Sequence, residues 1–198
     1  MSTGLTAKGR ATRQRIVDAT ALLTRQKGVA ETTLDDVRAA TATSQSQLFH
    51  YFPGGRADIL LAVTEHEAGQ VLAAQRPFLD DLSTWESWQG WQQAVLSHYT
   101  ELGQRCPLGN LTTELGKSSP ESRAVLSGLF DEWEKALLRG VRALTGEGAD
   151  VARAKARSIL AAVQGGVVLL QVTGRTDYLK ASLTAALTPL RPASGEAA

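Results

Sequence analysis

The sequence contains one cysteine, Cys106, and three histidines among its 198 residues. A single thiol forms neither an internal disulfide nor a cysteine-rich zinc site. The three histidines, His50, His66 and His98, are not spaced as in HExxH or a similar metal motif. We therefore expect neither a metal nor a cofactor. A redox-sensing role for Cys106 stays open, although Arg105 is the only cation adjacent in sequence that could lower its thiol pKa.

Long apolar runs and strand patterns are also scarce. No uninterrupted apolar stretch approaches the roughly 20 residues that span a bilayer, and the first residues lack the apolar core of a secretory signal. These features predict a cytoplasmic protein. Alternating β-branched runs, Gly-rich phosphate loops and nucleophile elbows are missing as well, so neither a β fold nor an enzyme is indicated.

Helical periodicity is what the chain does have. A first helix is predicted over residues 11–27, with Gly28 as its stop. Thr33 and Ser44 are predicted to cap two short helices, the second of which ends before Pro53. The pattern predicts an N-terminal helix-turn-helix domain of three helices at residues 1–55.

The rest of the chain repeats the helical pattern at greater length. Helices are predicted over residues 56–76, 84–104, 119–144, 150–173 and 176–191, with an irregular stretch at 106–110 and a short helix ending at 116. We predict an all-α fold in which residues 56–191 form a C-terminal helical bundle. Residues 192–198 are expected to be a disordered tail.

Charge is distributed unevenly between these two parts. The first 56 residues hold eight basic and four acidic side chains, a net charge of +4, whereas the remainder carries −3. A cationic head on a mildly acidic body suits a protein that contacts phosphate at one end. A solvated basic face is the plainer alternative.

The segment from Thr33 to Phe52 has the layout of a helix-turn-helix, with residues 41–43 as the turn. Its second helix would be the recognition helix, because it is rich in uncharged hydrogen-bonding side chains that suit base edges and phosphates. Gln45 or Gln47 could make a bidentate contact to adenine. Leu48 and Phe52 lie four residues apart and would anchor the helix. A polar surface helix of some other bundle is the alternative.

The run from Thr33 to Arg56, and above all its Leu48-Phe49-His50-Tyr51-Phe52 core, resembles the DNA-binding domain of tetracycline-repressor (TetR) family regulators. The resemblance covers about residues 10–60. It implies a homodimer that represses transcription at a palindromic double-stranded DNA operator and is released by a small aromatic or hydrophobic ligand. An activator, or a regulator without a ligand, is the alternative. The DNA contacts that it implies come from Arg10, Thr33, Ser44, Gln45, Ser46, Gln47, Phe49, His50 and Arg56.

The sequence departs from the family pattern at three positions. Ala42 stands where glycine is common, Gln45 where lysine or arginine is common, and Phe49 where tyrosine is common, so one phosphate-binding hydroxyl is missing. The stretches 52–56 and 106–110 further resemble the LmrA/YxaF-like branch of the family. That branch is associated with drug efflux and flavonoid-type compounds.

The helix predicted at 150–173 is apolar over more than one face, so it needs a partner besides its own core. Two adjacent glycines at its middle destabilise a helix, which the close approach of another helix or a ligand would justify. We expect a dimer interface at the last two helices, and a fully buried core helix is the alternative. The predicted interface residues are Ile159, Val163, Gly166, Leu170, Leu183 and Leu187.

Aromatic residues recur at helical spacing in the body. Such rings suit an apolar effector pocket, although plain core packing fits them equally well. The predicted pocket residues are Trp88, Leu111, Phe130, Trp133, Leu137, Gln164 and Val168. Two other classes of protein remain as alternatives: a helical enzyme, and an adaptor that binds only protein and has no affinity for DNA at low salt.

Overall fold

A computed structural model describes residues 5–105 and 119–192. Cys106, the irregular stretch at 106–110, the short helix to 116 and the tail from 193 lie outside these ranges. Within them the chain forms α-helices and short 3₁₀ turns and contains no strand, which confirms the all-α prediction. The helices are α1 (Ala7–Lys27), α2 (Leu34–Thr41), α3 (Gln45–Tyr51), α4 (Arg56–Ala73), α5 (Trp85–Leu102), α6 (Pro120–Thr145), α7 (Ala149–Thr173) and α8 (Asp177–Leu187).

The described residues form two compact units. The first, called the head below, comprises residues 5–69 and 119–126, and the second, called the body, comprises residues 70–105 and 127–192. The head thus includes most of α4. The domain boundary predicted at residue 55 stays a prediction.

The head has one continuous hydrophobic core to which α1, α2, α3 and α4 contribute. Leu48 and Phe52 are both buried in it, as their four-residue spacing predicts. The core residues are Ile16, Val17, Ala21, Val37, Leu48, Phe52, Ile59, Ala62 and Val63. Arg25 of α1 also forms an ion pair with the buried carboxylate of Glu67 on α4. The core holds the short helices α2 and α3 against α1 and α4, which the ion pair also joins to each other.

The body is built around tryptophans and a close crossing of two helices. One face of α5 buries Trp88 and Trp91, and the Trp91 Nε1–H donates to Gln75 Oε1 at 2.7 Å. A Cβ at Gly166 of α7 would lie 2.6 Å from the Leu179 Cα of α8. The glycine therefore allows the two backbones to meet within one chain.

Helix α7 has two apolar faces, as its sequence predicts, but the inner one holds the residues predicted for the dimer interface. All six of them are buried within a single chain, so they have no surface left for a second copy. The interface assignment is corrected for this reason. The outer face of α7 consists of Val151, Ala154, Ser158, Ala161, Gly165, Val168 and Val172, all exposed.

By length and composition alone, α7 is apolar enough to cross a membrane. The core helix of a soluble protein passes the same test, so one such helix is weak evidence for a membrane span.

Candidate nucleic-acid interface

The recognition helix α3 begins with a reciprocal cap. The Gln47 backbone N–H donates to Ser44 Oγ at 3.2 Å, and the Ser44 backbone N–H donates to Gln47 Oε1, also at 3.2 Å. This capping box satisfies two amide groups that the first turn would otherwise leave without a partner. It also turns the Gln47 amide back toward the helix start. Gln45, whose side chain is exposed, is therefore the better placed of the two glutamines to reach a base.

The turn before α3 depends on a left-handed residue. Ala42 has φ 50° and ψ 38°, and its backbone N–H donates to the Arg38 carbonyl as the C-cap of α2. An L-residue pays a steric cost in this region that glycine avoids. The turn thus forms at a position where the family more often has glycine.

The start of α2 is fixed by a second capping box. The Thr33 backbone N–H donates to Asp36 Oδ2 at 2.8 Å, and the Asp36 backbone N–H donates to Thr33 Oγ1 at 3.2 Å. Lys27 Nζ lies 2.6 Å from the same Oδ2. Hydrogen bonding by Lys27 and then by Thr33 holds the pKa of the Asp36 carboxyl well below its usual range. Thr33, a predicted DNA contact, is thereby occupied in part by its own helix.

The exposed side of α3 carries several residues predicted to contact DNA. Ser46 and His50 are exposed, and Ser46 Oγ lies 3.1 Å from Ser44 Oγ. Phe49 is 39% exposed. Gly55, with φ +62°, lies against its ring, because a Cβ there would be 3.1 Å from Phe49 Cε1. The structure thus brings these residues together on one accessible face.

Two arginines predicted to contact DNA are engaged within the fold. Arg10 Nη1 donates to the Leu5 carbonyl at 2.6 Å. Arg56 Nη2 donates to the Val29 carbonyl at 2.6 Å, and its Nε donates to the Thr32 carbonyl at 3.3 Å. Arg56 therefore ties the first residue of α4 to the loop between α1 and α2. A phosphate contact by this side chain stays a prediction.

An open groove of about 440 Å³ lies between α2 and α3. Its lining residues are Thr33, Leu34, Asp35, Arg38, Gln45, Leu48 and Phe49. Within it, Arg38 Nη1 donates to Asp35 Oδ1 at 2.9 Å. No role for this pair was predicted from the sequence. The available signal was its three-residue spacing on the helix that precedes the recognition helix.

In the body, the structure separates the predicted pocket residues. Trp88, Trp133 and Leu137 are fully buried, and Phe130 and Gln164 are partly buried. Val168, in contrast, is 48% exposed on the outer face of α7, so it does not belong with them. Leu111 lies outside the described residues. The indole N–H groups of Trp88 and Trp133 and Nε2 of Gln164 are buried without a hydrogen-bond partner in the described part of the chain.

Comparisons with known protein families agree with this architecture. Residues 16–63 match the model for bacterial regulatory proteins of the tetR family. Residues 87–184 match the model for the C-terminal domain of LmrA/YxaF-like transcriptional regulators, which confirms the predicted branch.

Individual relatives give the same result. An HTH-type transcriptional regulator in the lacX 3′ region of Lactococcus lactis subsp. lactis is 30% identical over 180 residues, covering 87% of this chain and 90% of the relative. A Mycobacterium tuberculosis HTH-type regulator is 28% identical over 127 residues, covering 61% of this chain and 64% of the relative.

Solved structures share the fold. A TetR regulator from Chloroflexus aurantiacus superposes with a TM-score of 0.76 at 23% identity, covering 92% of this chain and 96% of that one. A SmeT–triclosan complex superposes with a TM-score of 0.68 at 20% identity, covering 93% and 96%. With the helix-turn-helix, the matched domains and the L. lactis relative taken together, the chain belongs to the tetR family of DNA-binding transcriptional regulators, which are not enzymes.

Proposed function

We propose that this regulator is a repressor that binds a palindromic operator as a homodimer and leaves it when a small aromatic ligand binds. The observation that carries the proposal is the division of α3 into two sides. Leu48 is buried in the head, whereas Gln45, Ser46, Phe49 and His50 are exposed. A short helix held by its apolar side and presenting polar groups without negative charge suits the major groove.

The residues on the outer face of α7 support the proposal that the chain forms a dimer. Its exposed residues recur at alternating spacings of three and four and are small or β-branched, which suits close packing against another helix. Helix α8 continues the pattern with Tyr178, Ala181 and Ala185, and Thr188 directly after the helix extends it, all four exposed. The proposed interface is therefore the outer faces of the last two helices. A symmetric pair would present two copies of α3 to half-sites about one DNA turn, or a multiple of it, apart.

Buried hydrogen-bond donors without an acceptor in the described part of the body support the proposal that an effector binds there. A buried N–H group without an acceptor is costly, and the described residues supply no acceptor for the Trp88 and Trp133 indoles or for Nε2 of the Gln164 amide. The proposed ligand is an aromatic compound with acceptor oxygens. SmeT, which has a similar fold, binds triclosan, an aromatic compound. A ligand that favours one of two states of the dimer lowers the population that binds DNA.

Two successive experiments test operator recognition and then release by the ligand. Selection from random double-stranded DNA should yield a palindromic motif, and aromatic compounds with acceptor oxygens should release the motif in a fluorescence anisotropy assay. Because operators are chromosomal, the proposed location is the bacterial cytoplasm. Failure to bind DNA even at low salt would contradict the proposal and favour a protein-binding adaptor.

The dimer is tested with two matched substitutions. Val168→Asp places a charge on the outer face of α7, and sedimentation should show monomers with weakened operator binding. Leu22→Asp makes the same change at an aliphatic side chain of α1 that is 52% exposed, and it should leave the dimer intact. A Val168→Asp protein that remains dimeric would contradict the proposed interface.

A further inference from the structure

The groove between α2 and α3 holds a charged pair that the recognition helix does not explain. The side chain of Asp35 is 86% exposed and that of Arg38 is 37% exposed. The Arg38 Nη1–H···Oδ1 Asp35 hydrogen bond, 2.9 Å long, uses one carboxylate oxygen and leaves the other, together with Arg38 Nη2, for another partner. Gln45 and Phe49 of α3 line the same groove. A base pair contacted by α3 would therefore have a neighbour within the reach of α2.

We propose that Asp35 and Arg38 together read one G·C base pair of the operator, next to the bases that α3 contacts. The inference rests on the proposed function, because it requires α3 to lie in the major groove. It adds α2 as a second source of sequence specificity, and it adds two residues to the DNA interface.

The chemistry of the pair matches the major-groove edge of a G·C pair. Guanine offers two adjacent acceptors, N7 and O6, and cytosine offers the N4 amino donor beside them. The planar guanidinium of Arg38 donates to two adjacent acceptors, and the free oxygen of Asp35 accepts from the amino group. In the major groove, an A·T pair places its amino donor between two acceptors. The Arg38 guanidinium, which needs two adjacent acceptors, would therefore meet a donor at one of these positions.

Electrostatics explain why an acidic side chain is tolerated at this surface. An isolated carboxylate would be repelled by the phosphates, whereas the Asp35–Arg38 pair carries no net charge. The pair also fixes the orientation of the guanidinium before DNA arrives, which reduces the entropy lost on binding. The plainer role for the two residues is an exposed ion pair on one helix face, and the experiment separates the two roles.

The test compares operator motifs selected from random DNA by the full-length chain and three variants. Asp35→Ala removes the acceptor. Arg38→Lys keeps the positive charge but loses the planar fork. Glu31→Ala is the matched control, because Glu31 is an exposed acid of the head that does not line the groove.

The expected wild-type motif contains a G·C pair beside the positions that α3 reads. In Asp35→Ala and in Arg38→Lys, the preference for that pair should fall about tenfold while the preferences at other positions persist. Glu31→Ala should tighten binding to all sequences and leave the motif unchanged, because it removes one negative charge without touching the groove.

The outcomes separate the inference from the function beneath it. If both groove variants select the wild-type motif at every position, the pair is a surface ion pair only and the inference is wrong, while operator recognition stands. If the wild-type chain selects no motif, the proposed function and the inference both fail. Circular dichroism of each variant checks folding, and Arg38→Lys carries the test if Asp35→Ala does not fold.

Discussion

Replacing Gly166 with alanine tests where this glycine makes its contact. The added Cβ would lie 2.6 Å from the Leu179 Cα, 2.7 Å from the Leu179 Cδ1 and 2.9 Å from the Ser182 Oγ. Carbon atoms in contact prefer about 3.5–4.0 Å, and a backbone Cα cannot rotate away, so α7 and α8 must move apart by about 1 Å. Overpacking of this kind costs about 1–3 kcal/mol.

A gain in helix propensity partly offsets that cost. Alanine is about 1 kcal/mol more favourable than glycine inside a helix, so the Gly166→Ala chain should be less stable than wild type by up to about 2 kcal/mol. Gly128→Ala is the control, because no atom lies within 4 Å of a Cβ at Gly128. The control should gain up to about 1 kcal/mol. The same substitution is therefore expected to lower the free energy of unfolding at Gly166 and to raise it at Gly128.

Urea unfolding at one fixed protein concentration measures both effects, since the apparent stability of a dimer depends on concentration. Sedimentation of the folded Gly166→Ala protein should still show the proposed dimer, because the contact lies within one chain. A Gly166→Ala protein at least as stable as wild type would refute the packing argument. A Gly166→Ala protein that is folded but monomeric would instead indicate that Gly166 lies in the subunit interface, as the sequence alone predicted.

Three further predictions concern the head. Ala42→Gly should stabilise it by about 1 kcal/mol in urea unfolding, because it relieves a left-handed alanine; a loss of stability would contradict this. Phe49→Tyr should tighten binding to specific and random DNA alike by about fivefold in anisotropy, because the hydroxyl adds a phosphate contact; an effect on only one DNA would count against it. The stability advantage of wild type over Asp36→Asn should be complete above about pH 4 and shrink as the pH falls further, because the folded pKa of Asp36 is lowered. Urea unfolding at pH 7 and pH 3 measures it, and an advantage that grows in acid would reverse the assignment.

The sequence was most informative where local chemistry decides the structure. Thr33 and Ser44 cap α2 and α3 as predicted, because capping depends on side chains within three residues of the helix start. Leu48 and Phe52 occupy the core for an equally local reason, since four residues bring side chains to one helix face. The bounds and identity of the helix-turn-helix could therefore be read from the printed chain.

Features that depend on contacts between residues far apart in the sequence could not be predicted. Both faces of α7 are apolar, so periodicity alone could not tell which one packs inside, and the residues predicted for the interface are buried within one chain. The resemblance implied a DNA contact from Arg56, but nothing in the sequence showed that carbonyl oxygens of a distant loop accept its hydrogen bonds. The roles of Asp35 and Arg38 emerge only when α2 and α3 enclose a groove.

The engagement of Arg56 has a mechanical consequence. It joins the beginning of α4 to the loop that precedes α2, and the Arg25–Glu67 ion pair joins α1 to the same helix further along. A displacement at the beginning of α4 would therefore also move the loop before α2, and a displacement further along α4 would also move α1.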